Sequence, residues 1–163
     1  MKTNLKLIST MVVLSIFLCL NAPCAWAKDD AALTVVKSFA KTYFMLDDSM
    51  AEYLSKNAKI NDNKENMVEL FLEKKAVEAF NNGYKISFLQ KFAFNIEAKV
   101  LNMNDSSAKI QFNATTIRNV NPLYRIFGSF FGLLEKYKVQ EILTVVKENG
   151  EWKIGPGAFD MPI

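Results

Sequence analysis

The sequence predicts an α+β fold, with helices first and an antiparallel sheet after them, on three observations. Up to Gly83 the large apolar residues recur at three- and four-residue steps. From Phe92 onward they alternate with polar ones, and no repeat, linker or low-complexity tract divides the chain. A helix period followed by a strand period predicts three N-terminal helices packed on a curved antiparallel sheet of about four to five strands, with the helices as the only cover for its apolar face.

The first segment is read as an address. Met1 to Lys6 is short and basic, Leu7 to Leu20 carries no charge, and Ala25-Trp26-Ala27 places small residues at the two positions a signal peptidase reads. The apolar run falls short of the roughly 20 residues a bilayer span needs. The expectation is a secretory signal peptide over residues 1–27, cleaved after Ala27, and a single domain over residues 28–163. Both cysteines, Cys19 and Cys24, fall in the segment removed. Small secreted animal domains usually depend on disulfides, so an exported chain without them points to a bacterial periplasm.

The elements follow in order. Asp29 or Asp30 is expected to cap a first helix, in which Ala32, Val36, Phe39, Ala40, Tyr43 and Phe44 share a face. Asp47-Asp48-Ser49 caps a short second helix, with Met50, Tyr53 and Leu54 on one side. Asn61-Asp62-Asn63 is read as opening a third, with Met67, Leu70, Phe71, Val77 and Phe80 aligned, and Asn81-Asn82-Gly83 as closing it. Lys85 to Leu89 is a possible short strand. In the first strong strand Phe92, Phe94, Ile96, Ala98 and Val100 form the inward series; in the second, Ala108, Ile110, Phe112 and Ala114 do. Asn102 to Ser107 turns between them. A third strand runs from about Lys138 to Lys147, apolar on both faces near Ile142 to Val146 as suits a central position, and Glu148-Asn149-Gly150 leads into a fourth, Glu151 to Ile154.

Composition narrows the chemistry. The chain has 163 residues, half of them apolar, and no histidine. Taking the two lysines of residues 1–27 from 20 basic residues leaves 18 against 17 acidic ones. No cysteine remains beyond residue 27, so neither a histidine- or cysteine-based triad nor a metal site of nitrogen and sulfur ligands is expected, and no cofactor. Near-neutral charge without a basic, aromatic-interleaved stripe argues against nucleic acid.

Three stretches carry a resemblance: the opening helix with Ala40-Lys41-Thr42-Tyr43-Phe44 running into Met50-Ala51-Glu52-Tyr53-Leu54-Ser55; the strands Ile96 to Leu101 and Ala108 to Phe112; and the closing hairpin Leu143 to Ile154 with Trp152-Lys153-Ile154. Over about residues 30–155 the chain resembles the NTF2-like superfamily, whose fold is a cystatin-like cone. Members of it include isomerases, small-molecule binders and dimeric interaction modules. The isomerase type implies an acid inside the cone with a tyrosine donating to the substrate oxygen. The inward series above holds no ionisable group, and Glu97, Lys99 and Lys109 have the outward parity, so no catalytic residue carries over. A bulge turning Glu97 or Glu141 inward would restore that alternative.

One segment exceeds what a hairpin needs. Between the second and third strong strands lies an apolar insertion at about residues 121–136, opened by Asn121-Pro122. On a helix, Leu123, Ile126, Phe127, Phe130, Phe131 and Leu134 make one stripe, opposite Arg125, Gly128, Ser129 and Gly132. Three readings are open: a helix completing the core, a lid over an apolar pocket, or a face for a partner. The expected contact set is Leu123, Tyr124, Ile126, Phe127, Phe130 and Phe131, with Phe39 and Tyr43 as pocket wall. The function this implies is a non-enzymatic binding or interaction module for an apolar small molecule or a protein partner. A homodimer remains open, and so does a membrane surface, for which Arg125, Lys136 and Lys138 are the only basic support.

Overall fold

The computed structural model describes residues 25–162, with side chains from Asp30 onward. The signal-peptide reading therefore lies outside the described residues for positions 1–24. Helix α1 spans Ala25–Phe44. It starts before the expected cap, and Asp29 and Asp30 lie inside it, because Ala31 and Ala32 favour continuation and no breaker intervenes. A 3₁₀ turn, Asp48–Tyr53, follows, its first amides capped by the Asp47 carboxylate, which accepts from the Ser49 N–H.

The next element was not legible in the sequence. Ser55 caps a single turn, α2 (Lys56–Lys59), and the long helix α3 (Met67–Asn81) begins only at Asn66, whose side chain accepts from the Val68 N–H. Asn61 instead closes a loop with Glu65: its carbonyl oxygen accepts the Glu65 N–H, and its amide donates to the Glu65 carboxylate. That loop moves the helix start, and with it the buried face, which is Val68, Phe71 and Ala79. Leu70, Val77 and Phe80, expected on the core side, are exposed. Gly83, at φ 75°, ends this region in the left-handed conformation as expected. Lys85 to Leu89 forms no strand; Ile86–Phe88 is a 3₁₀ turn.

Strands β1 (Lys91–Met103), β2 (Ser107–Arg118), β3 (Lys136–Glu148) and β4 (Glu151–Ile154) form one antiparallel sheet in the order 1-2-3-4. Between β2 and β3 stands α4 (Pro122–Phe130). Opposed residues on antiparallel strands share a face, so the register sorts every side chain. Ala108, Ile110, Phe112, Ala114 and Thr116 are buried on the helix-covered face, opposite Val145, Leu143, Glu141, Val139 and Tyr137 of β3. On β1 the alternation slips. Phe94 opposes Thr115 and Glu97 opposes Asn113, so one residue is extra, and Asn95 sits at φ 49°. Before this bulge the covered-face residue is Ala93, not Phe92 or Phe94. After it, Ile96, Ala98 and Val100 resume the expected series. In β3 only Leu143 and Val145 are buried; Ile142 is exposed on the outer face.

The core lies between the sheet and α1. Phe39, Tyr43 and Phe44 meet Phe112, Ile110, Val145 and Ile154, all fully buried. The chain end closes the assembly: Phe159 packs against Phe71 with ring centres 5.1 Å apart, and Tyr43 Oη donates to the Met161 carbonyl at 2.6 Å. Among the described residues no helix is long and apolar enough to cross a membrane.

Candidate interaction surface

The insertion forms the helix the sequence predicts. Asn121 caps it, its side chain accepting from the Leu123 N–H, and Pro122 occupies the first turn, where its missing donor costs nothing. It stops earlier than the stripe implies. Gly132, at φ 67°, takes the left-handed position, and the Leu133 N–H returns to the Gly128 carbonyl at 2.7 Å. This turn folds Leu134 back onto α4, where it fills the space beside Gly128. A Cβ added at Gly128 would come within 3.1 Å of the Leu134 side chain. Gly128 is the one buried residue of the helix.

The polarity of α4 is inverted relative to an ordinary surface helix. Arg125 points to the body of the protein. Its Nη2 donates to the Asn119 side chain and the Val120 carbonyl, and its guanidinium lies 5.0 Å from the centre of the Phe92 ring. Leu123, Tyr124, Ile126, Phe127, Phe130, Phe131 and Leu133 all face water, with Phe127 60% and Phe130 84% exposed. Fully burying a side chain of this size is worth roughly 1.5–3 kcal/mol, so a large stabilisation is forgone at one end of the molecule. Of the three sequence readings, the helix therefore departs from the first, completion of the core. It is an exposed apolar prong. Leu133 belongs to it although it lies off the stripe, because the chain reverses at Gly132.

The other two expected contact residues are elsewhere. Phe39 and Tyr43 are fully buried, tilted together at 5.6 Å, and Tyr43 stacks on Phe71 at 4.9 Å. They are interior packing, not pocket wall, because Phe71 from α3 and Phe159 from the tail fill the space in front of them. Burial, with the charges of Asp160 and Glu141, pushes the Tyr43 hydroxyl well above its ordinary pKa, so it stays a neutral donor.

The register places a different set around the root of α4. Lys91 opposes Arg118, Ile117 opposes Lys136, and Thr115 opposes Lys138. The Arg118 guanidinium lies 3.9 Å from the Phe88 ring centre, and the Lys91 ammonium 5.0 Å from that of Tyr137. Aromatic faces attract these cations without neutralising them. Partial burial, then the nearby charges of Arg118 and Lys75, lower the pKa of Lys91. The one carboxylate of the segment, Glu135, accepts from the Tyr137 hydroxyl. A depression of about 340 Å³ lies beside the prong, lined among others by Arg118, Tyr124, Leu133 and Tyr137. A second, of about 640 Å³, lies along the sheet, with Asn95, Glu97, Asn113, Val139 and Lys138 in its wall. Sequence reasoning saw Lys136 and Lys138 but not Lys91 or Arg118, since only strand pairing brings those to the same end.

Glu141 is the acid on the helix-covered face. It opposes Phe112 in regular pairing and is half-buried, so no bulge is needed to turn it inward, while Glu97, beside the bulge, is exposed on the outer face. Among the described residues no cluster of three or more carboxylates, histidines or cysteines could hold a metal.

No protein-family model matches the sequence, and no curated protein matches it. Among solved structures, the chain is similar to a Novosphingobium aromaticivorans protein provisionally assigned as a scytalone dehydratase, with 11% identity over 79% of this chain and 80% of that one, at a TM-score of 0.45. It is also similar to an NTF-2-like protein of unknown function from Shewanella oneidensis, with 14% identity over 78% of this chain and 93% of that one, at a TM-score of 0.42. No activity carries over from either similarity.

Proposed function

We propose that the protein is a non-enzymatic binding or interaction module whose working part is the α4 prong. The observation that carries this reading is the outward display of seven large apolar side chains on a segment that its own fold leaves uncovered. The signal-peptide pattern of residues 1–27 supports placing this module in the periplasm. Ordinary folding drives such residues inward, and a helix with Arg125 inside and phenylalanine outside is organised for something other than its own core.

A second reading is favoured by Glu141, which stands on the covered face near the neutral Tyr43 hydroxyl, as an isomerase-like enzyme would require. It ranks behind the first because that hydroxyl is already committed to the Met161 carbonyl and Phe39, Phe71 and Phe112 fill the space around it.

The experiment is the double substitution Phe127→Asp and Phe130→Asp in the full chain. On the binding reading the variant melts within about 2 °C of the parent, since exposed substitutions stay within roughly 0.5 kcal/mol, and it elutes earlier from a phenyl-bearing resin. Loss of the folded state by circular dichroism would make α4 part of the core and end this reading.

A further inference from the structure

We infer that the α4 end of the molecule docks onto an anionic lipid bilayer, the prong entering the acyl boundary while a basic collar meets lipid phosphates. The inference rests on the binding reading above and names its occupant. Two observations that are independent of each other meet at one end of the fold.

The first is shape. Apart from Tyr124 and Leu133, which line the depression beside it, the exposed set clothes a short helix and its reversal and not the walls of a groove. Leu123, Ile126, Phe127, Phe130, Phe131 and Leu133 surround a helix of nine residues, about 14 Å long at 1.5 Å per residue, held at its root by Arg125. A rigid partner would have to offer a deep matching socket, whereas a bilayer interface deforms around a projection of this size. Interfacial helices seat their apolar face about 5–10 Å into the headgroup and acyl boundary.

The second is charge. Lys91, Arg118, Lys136 and Lys138 come from three strands, and pairing brings them to the end of the sheet from which the prong leaves, Lys91 and Arg118 on the helix-covered face and Lys136 and Lys138 on the outer one. Among the described residues none of the four forms an ion pair, and Glu135 is held by Tyr137. With four cations against the one carboxylate of Glu135 the collar is net positive, and such a rim seeks a surface of the opposite sign. It also argues against a second copy, because a two-fold contact through the same patch would set these cations against their own equivalents.

Flotation of the full chain with vesicles of phosphatidylcholine, with and without phosphatidylglycerol, tests this. The expected result is a bound fraction at least about tenfold greater on the anionic vesicles, as several basic residues near a charged surface would give, and release by high salt. Lys136→Gln with Lys138→Gln should reduce that preference, and Phe127→Asp with Phe130→Asp should abolish binding at low salt, both variants keeping the parent's circular dichroism. Equal binding to neutral and anionic vesicles, or binding indifferent to the Phe127/Phe130 pair, overturns the inference. Absence of vesicle binding together with a dimer in sedimentation that the Phe127/Phe130 variant dissolves overturns it too, but leaves the binding reading standing. If the Phe127/Phe130 variant changes neither vesicle binding, oligomeric state nor phenyl-resin retention, both fall.

Discussion

Tyr43 is the residue on which the interior turns. Its ring is fully buried and touches Phe39, Phe44, Phe71 and Phe159, and its hydroxyl has one partner, the Met161 carbonyl. Burial without that bond would cost more than the bond itself contributes, so Tyr43→Phe, which leaves the carbonyl unpaired, should cost about 1–3 kcal/mol in urea unfolding. The pH sign follows from the raised pKa. An unfolded tyrosine ionises near pH 10, while the folded one holds its proton longer. Stability is therefore full below about pH 10 and declines as the pH rises above it toward the folded pKa, because the unfolded state loses its proton first. Melting temperatures measured from pH 8 to 11 should show this decline in the parent and less of it in Tyr43→Phe. That Tyr43 faces inward was legible in its spacing from Phe39 and Phe44. That it is sealed was not, because Phe159 comes from a tail without periodicity, and the period that puts Phe71 on a helix face does not say what that face meets.

At the scale of elements, β1 is decided by Asn95. A positive φ at a non-glycine residue is strained, and asparagine tolerates it better than most. Asn95→Gly should be neutral or slightly stabilising, whereas Asn95→Val should cost about 1–3 kcal/mol, the range for a residue forced into a sparsely populated backbone region. Chemical denaturation of the two variants checks this, and equal stabilities would mean that the bulge relaxes when challenged. The same residue explains why the alternation misled for part of β1. Phe92 and Phe94 keep a perfect period of two with Ile96 in the sequence, but one inserted residue puts them on the other face. The insertion shows the reverse case. Its cap, its proline and its stripe were all readable, and α4 forms accordingly; what the stripe faces was not, since amphipathicity says only that one side is apolar and not what covers it.

For the molecule as a whole, the order of helices and strands was legible because each stretch has a single dominant period. The boundaries of α2 and α3 were not, because Asn61 and Asn66 are equally good caps and only the Asn61–Glu65 loop distinguishes them. The basic collar belongs to this scale too. Lys91 and Lys136 are 45 positions apart in the chain, yet the pairings of β1 with β2 and of β2 with β3 bring them to one rim. A single sequence contains such a feature only through its register.

The contact between Tyr43 and Met161 also orders events in time. Tyr43 and Phe71 are made long before Phe159 and Met161, so during synthesis the hydroxyl has no carbonyl to meet, and the Phe71 ring no Phe159, until those residues have emerged. The sheet can pair beforehand, but its cover stays open at one end. A chain shortened before Ala158 lacks both contacts and should fail to reach the closed state.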